Sequence, residues 1–326
     1  MNLFLVSSPF QYICALEAKN KFNCIDNILL IIDEKHSKGI EQLNSLLKDS
    51  DWDHQYHINR KKLRTDLPKA INKIKKELNI KKINTFFYTD YNAWWIKPLR
   101  ANFNIDKEIY FDDGTLTLFD YSKHITQQSM SYRKGWLQDL ILRLYKCQTV
   151  NIPKKPFNLE IFSIFNLPKS SYITHINNFN SLSNKYTKGS LYNKEAPIGF
   201  IGQGAIGSKG HLNIDEYINL IKKTFNKEKK KIIYFPHRNE KKELTDKIKK
   251  LNYITYYESK HPLEIELIVN QIELSCLIGM YSTVMFTCRK LYNNMPIYCL
   301  NKNIYSDRKV QDLVNKQLQL SNITLL

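Results

Sequence analysis

The chain has 326 residues, 43% hydrophobic and 25% charged; this is globular composition, long enough for two domains and unlike a disordered or fibrous protein. Lys and Arg number 49 against 31 Asp and Glu, a net charge of +18 that favours polyanionic partners: nucleic acid, an anionic membrane surface or a phosphorylated ligand. Six cysteines without a CxxC pair exclude a disulfide scaffold and a cysteine zinc finger and suit a reducing cytoplasm, and no apolar run approaches the ~20 residues of a membrane helix.

The opening Met-Asn-Leu-Phe-Leu-Val has no cationic n-region, so no secretory signal is expected. Leu3 to Ser7 reads as a strand, Phe10 to Lys19 as an amphipathic helix and Asn27 to Ile32 as a second, buried strand. Helices are predicted over Ile40 to Leu47 and Leu67 to Leu78, with strands over Thr85 to Thr89 and Glu108 to Phe111. Gly135 to Tyr145 is predicted helical, because Leu137, Leu140, Ile141 and Leu144 share one face. From Asn151 to about Leu191 the sequence turns to Pro, Asn and Ser, which reads as an inter-domain connection with room for a strand near Ser171 to Thr174. The basic stretches Arg60 to Arg64, Lys73 to Lys82 and Lys222 to Lys231 read as solvated helix faces.

A second series follows: strands at Ile198 to Ile201, Lys231 to Phe235, Tyr253 to Tyr256, Ser275 to Ile278 and Pro296 to Leu300. They alternate with helices at Asp215 to Phe225, Lys241 to Leu251, Leu263 to Asn270 and Ser282 to Tyr292. Alternation of this kind needs crossover connections and hence parallel sheets. The expected architecture is two α/β domains, residues 1–188 and 189–326, facing each other across a cleft.

In open α/β sheets ligands bind beyond the carboxyl ends of strands, which singles out four places. Asp112-Asp113-Gly114 could present a carboxylate that deprotonates a hydroxyl, although Asp-Gly is equally a hairpin signal. Gly202 to Gly207 matches GxGxxG after a strand, but no helix follows at once and no acidic residue ends the next strand. Pro236-His237-Arg238 places an imidazole where it can protonate a departing phosphate. Ser282-Thr283 offers two hydroxyls at a helix N-terminus, suited to a phosphate or to simple capping. Glu264, in the first turn of a helix after His261-Pro262, could bind a ribose or favour the helix dipole. His54 and His57 lack a third ligand, and HExxH and GxSxG are both absent, so neither a catalytic metal nor covalent catalysis is expected.

Taken in order, Phe111-Asp112-Asp113-Gly114, Phe200-Ile201-Gly202-Gln203, Tyr234 to Arg238, Pro262-Leu263-Glu264 and Ser282-Thr283 resemble the bacterial sialyltransferases. The likeness is to glycosyltransferase family 52 and its capsular polysialyltransferase relatives, and the opening Leu3 to Gln11 looks like that family's first strand and helix. The resemblance implies a GT-B fold with two Rossmann-like domains, the first for the acceptor and the second for a CMP donor. It implies inverting, metal-independent transfer of a sialic or related nonulosonic acid from CMP to a galactose-type acceptor, lipid-linked in lipooligosaccharide or capsule synthesis, with no cofactor. Asp113 or Asp112 would be the base and His237 the group assisting CMP departure. Ser282 and Thr283 would hold the phosphate, Glu264 the ribose, and Gly202, Gln203, Pro236 and Arg238 would line the donor site. Two departures stand out: Gly204 occupies a position where relatives often have Pro, and Arg238 rather than Pro follows His237, leaving His261 as the alternative. The enzyme is expected in the cytoplasm, with peripheral contact to anionic lipid on the inner face of the inner membrane. The competing readings are a Rossmann-type oxidoreductase using Gly202 to Gly207 and a basic nucleic-acid-binding protein, although no nucleic-acid motif is present.

Overall fold

The computed structural model describes residues 1–34, 36–129, 135–150, 156, 158–186, 190–209, 211–300 and 305–326. The chain divides into two compact units, Met1–Ser181 and Leu182–Leu326, each built on its own parallel sheet.

The first sheet contains β1 (Asn2–Val6), β2 (Asn27–Ile32), β3 (His54–Ile58), β4 (Lys82–Tyr88), β5 (Asn104–Phe111), β6 (Leu159–Ser163) and β7 (Ile173–Ile176). Their order across the sheet is β3-β2-β1-β4-β5-β6-β7, parallel throughout. Every residue of β1 and β2 is buried, as the uninterrupted apolar runs require of central strands covered on both faces. Phe4 of β1 stacks on Phe87 of β4 with ring centroids 4.1 Å apart. Between β1 and β4 the direction of strand addition reverses, so the loops after those two strands diverge and leave a crevice at the carboxyl edge.

The second sheet contains β8 (Ile198–Ile201), β9 (Ile232–Phe235), β10 (Ile254–Tyr256), β11 (Cys276–Gly279), β12 (Ile297–Cys299) and β13 (Thr324–Leu325). Its order, β10-β9-β8-β11-β12-β13, repeats the same winding with the reversal between β8 and β11. Phe200, Tyr234 and Ile278 meet Tyr217 and Ile221 of helix Ile214–Glu228 and Leu244 and Ile248 of helix Lys242–Lys249 in one buried cluster.

Two readings of the sequence are corrected. The segment read as an inter-domain connection supplies β6 and β7 to the first sheet. Glu160 masks β6 as a strand; its carboxylate is held by Lys107 at 2.7 Å and His175 at 2.7 Å. The edge strand β3 went unseen because three of its five residues are His, Gln and His and only Tyr56 and Ile58 are buried. His54 and His57 lie three apart on that strand and therefore point to opposite faces, the wrong geometry for a shared ligand.

Candidate active site

Each sheet gathers predicted residues at its carboxyl edge. In the first unit β5 ends at Phe111, and Asp112, Asp113 and Gly114 turn the chain into helix Leu116–Asp120. The turn is strand-to-helix, since both neighbours of β5 run parallel to it and no hairpin forms. Gly114 takes φ +62°, a left-handed conformation that a side chain would strain.

The two adjacent carboxylates have different surroundings. Asp112 is fully buried; Oδ1 accepts from the Ser163 hydroxyl and Oδ2 from the Ile164 N–H, both at 2.6 Å. Burial pushes its pKa up to about 7 against the opposing pull of these donors. This carboxylate ties the end of β5 to the end of β6. Because its folded pKa lies above that of the unfolded chain, its contribution to stability is complete below about pH 4 and is lost as pH rises through about 7. Asp112→Asn is expected to destabilise the fold by about 1–3 kcal/mol, because an amide N–H must face a backbone or hydroxyl donor. It should also flatten the fall in stability between pH 4 and 7; urea titrations at those two pH values read both effects.

Asp113 is only half-buried, and its Oδ1 accepts from Gln11 Nε2 at 2.6 Å. Gln11 is itself fixed: its Oε1 accepts from the Ser7 N–H at 2.7 Å and the Ser7 hydroxyl at 3.1 Å. Ser8 caps helix Pro9–Lys21 by accepting from the Gln11 N–H. The Asp113 N–H in turn donates to Thr117 Oγ1 at 3.0 Å. Gln11 was missed as a site residue, yet Ser8-Pro9-Phe10-Gln11 has the spacing of a capping box, with its third helical residue reaching back past the cap.

Asp90 was also missed. It follows β4 with φ +54°, and the register pairing Tyr88 with Tyr110 carries it to the same edge as Asp112 and Asp113. Burial, then the charges of Asp113 and Asp120, push its pKa up to about 7, opposed by Arg60. Aspartates just past the ends of β4 and β5 thus interact at one edge of the first sheet.

In the second unit Gly202 and Gln203 follow β8, Pro236, His237 and Arg238 follow β9, and Ser282 and Thr283 follow β11. Gln203 Nε2 donates to the carbonyls of Met280 (3.3 Å) and Tyr281 (3.0 Å), bridging the two strand ends at the reversal point. A Cβ on Gly202 would lie 2.8 Å from the His237 backbone N, and one on Gly204 would lie 2.4 Å from the imidazole Nδ1. Both glycines are therefore required for the loop after β8 to pack against His237. The His237 Nδ1 accepts from the Asn239 N–H at 3.1 Å, which puts the proton of the neutral ring on Nε2. Ser282 stands at the N-cap of helix Thr283–Leu291 but makes no side-chain capping bond, so its hydroxyl is available at the positive end of the helix. Glu264 is buried in the first turn of helix Leu263–Val269; burial raises its pKa and the nearby Arg238 charge lowers it. The alternative histidine, His261, lies in a loop whose Lys260 and His261 N–H groups both donate to Glu266.

Gly204 to Gly207 form a turn rather than a helix start, and Gly210 lies outside the described residues. The next helix begins at Ile214 behind its own Asn213–Glu216 capping box, so the Asn213 and Glu216 N–H groups already have acceptors. A dinucleotide site of the GxGxxG type needs the opposite arrangement.

Residues 200–301 match the family model described as alpha-2,8-polysialyltransferase (POLYST). No curated protein matches the chain. Among solved structures, the alpha/beta-galactoside alpha-2,3-sialyltransferase of the luminous marine bacterium Photobacterium phosphoreum shares 15% identity at a TM-score of 0.52, covering 99% of this chain and 97% of that one. S. aureus MnaA, solved with UDP, shares 11% identity at a TM-score of 0.56 over 99% and 91% of the two chains. The UDP-GlcNAc 2-epimerase of Neisseria meningitidis shares 11% at 0.54, over 99% and 92%. These likenesses show a GT-B-type fold, which transferases and epimerases have in common, so the choice between them falls to the sequence match. That match spans the stretch holding Gly202, Gln203, His237, Glu264, Ser282 and Thr283. Over residues 200–301 the chain is thus similar in sequence to the polysialyltransferase family, on a fold that a bacterial sialyltransferase shares.

Proposed function

We propose that the chain moves a sialic or related nonulosonic acid from a CMP-activated donor to a sugar hydroxyl of a bacterial surface glycan, with inversion and without a metal ion. The observation that carries this reading is the carboxyl edge of the second sheet, where Gln203, His237 and Ser282 converge from three strand ends at the reversal point. A CMP-sugar phosphate there meets the His237 Nε2–H, the Ser282 and Thr283 hydroxyls and a helix N-terminus, all favouring developing negative charge. Glu264, with Arg238 beside it, is assigned to the ribose hydroxyls.

The reaction is a single displacement. Asp113 removes the proton from the acceptor hydroxyl, the oxygen attacks the anomeric carbon, and the bond to phosphate breaks with its electron pair leaving on CMP. The His237 Nε2–H donates a hydrogen bond to that oxygen and stabilises its charge as CMP departs. Because CMP is already a good leaving group, protein groups suffice for both charge developments. In this scheme the first unit serves the acceptor, galactose-type and lipid-linked, and the second the donor. The enzyme would act in the cytoplasm, touching the anionic inner face of the inner membrane.

The test is CMP release from CMP-sialic acid with galactose-terminated acceptors in EDTA. Acceptor-dependent release is expected, and the absence of both turnover and CMP binding would overturn the reading.

A further inference from the structure

Helix Trp136–Leu144 in the first unit presents its apolar residues the wrong way round for a soluble fold. Trp136 is 71% exposed, Leu137 46%, Leu140 49% and Leu144 74%, while Leu142 alone is buried. At about 100° per residue these four fall within an arc of roughly 100°, and Leu142 lies on the opposite side. A contiguous apolar stripe facing solvent marks a contact surface. Among the described residues no helix is long and apolar enough to cross a membrane, so this stripe can lie on a bilayer but not traverse one.

The flanks of the stripe are cationic. Arg143 borders it on the helix and Lys146 follows, both exposed. At the Trp136 end opens a cavity of about 560 Å³, lined by Arg64, Trp94, Lys97, Pro98, Trp136 and Asp139. Arg64 and Lys97 outnumber the single carboxylate there, and two indoles share the cavity wall. Burial, then the Arg100 charge, lowers the Lys97 pKa, and an anion entering the cavity would oppose that shift. Apolar groups on the exposed face, Trp at the edge and cations beside them are the chemistry of an interfacial helix meeting acidic headgroups.

We propose that helix Trp136–Leu144 docks the enzyme on an anionic bilayer, with the Trp136, Leu137, Leu140 and Leu144 side chains in the acyl boundary and Arg64, Lys97, Arg143 and Lys146 on lipid phosphates. This deepens the membrane contact in the proposed function by assigning its surface, and it is independent of the identity of the donor.

The test uses the full chain and vesicles of phosphatidylglycerol and phosphatidylcholine. Binding should be at least tenfold tighter than to phosphatidylcholine alone, and the double variant Leu140→Glu/Leu144→Glu should weaken it at least tenfold. Lipids brominated in the acyl chain should quench tryptophan emission of the wild type, and Trp136→Phe should abolish that quenching. Leu140→Glu/Leu144→Glu changes exposed residues only, and its CMP release with a soluble acceptor should match the wild type. Vesicle binding needs no turnover, so a failed transfer reaction and a failed docking surface are told apart. Binding indifferent to the Glu substitutions, or equal on neutral lipid, overturns the proposal. So does a wild type that ignores vesicles but forms a dimer dissociated by the double variant, which would make a second copy of this chain the occupant.

Discussion

Asp113→Asn is expected to lower kcat by about a thousandfold while leaving the KM for the CMP donor within about twofold. The substitution is nearly isosteric, and the Asn Oδ1 still accepts from Gln11, so the turn after β5 keeps its shape. What disappears is the ability to take a proton, worth about 4 kcal/mol of barrier at that ratio. Donor KM is spared because the groups assigned to CMP belong to the second unit. A structural role for Asp113 would instead lower stability along with activity, which thermal unfolding of the variant would reveal. Asp90 supplies a second readout. Its pKa near 7 means that below neutrality Asp113 faces a neutral neighbour, and above neutrality an anion. The extra charge raises the proton affinity of Asp113, so kcat should climb through a step near pH 7. In Asp90→Asn that step should shrink, leaving the part that comes from Asp112, which titrates in the same range beside Asp113.

His237→Ala is expected to cost about 10²–10³ in kcat, the usual loss when a preorganised donor to a developing anion is removed. The packing of the loop after β8 provides a sharper version. A Cβ at Gly204 would stand 2.4 Å from Nδ1 and 2.8 Å from Cε1 of the imidazole, so Gly204→Ala must displace the ring. Gly204→Ala alone should therefore lose at least tenfold in kcat. Combined with His237→Ala it should add almost nothing, since the ring it displaces is gone. Independent, multiplying losses would mean that Gly204 acts on the donor by itself. His261→Ala, in a loop held by Glu266, should fall within about twofold of the wild type.

The GxGxxG run shows how a local pattern misleads when read alone. Gly202 and Gly204 are required, but by the approach of His237 rather than by a pyrophosphate, and only the fold brings a residue 33 positions downstream against Gly204. Asp112 and Asp113 show the same limit. As neighbours at a strand end they are equivalent in sequence. Ser163 and the Ile164 N–H, more than fifty positions later, occupy one carboxylate and leave the other beside Gln11, 102 positions earlier.

Apolar runs such as Asn27–Ile32 and Ile198–Ile201, separated by helical periodicity, were enough to specify two wound α/β sheets, because burial on both faces and crossover length are local properties of the chain. The same pattern put four of the motifs just past strands, after β5, β8, β9 and β11. Beyond that lay β3 and β6, whose polar residues are tolerated by an edge position and by an ion pair, and the inverted face of Trp136–Leu144, whose apolar spacing reads identically whether it points inward or outward. Which polar group is satisfied, and which way an amphipathic face turns, depend on partners distant in sequence, and those are settled only when the chain packs.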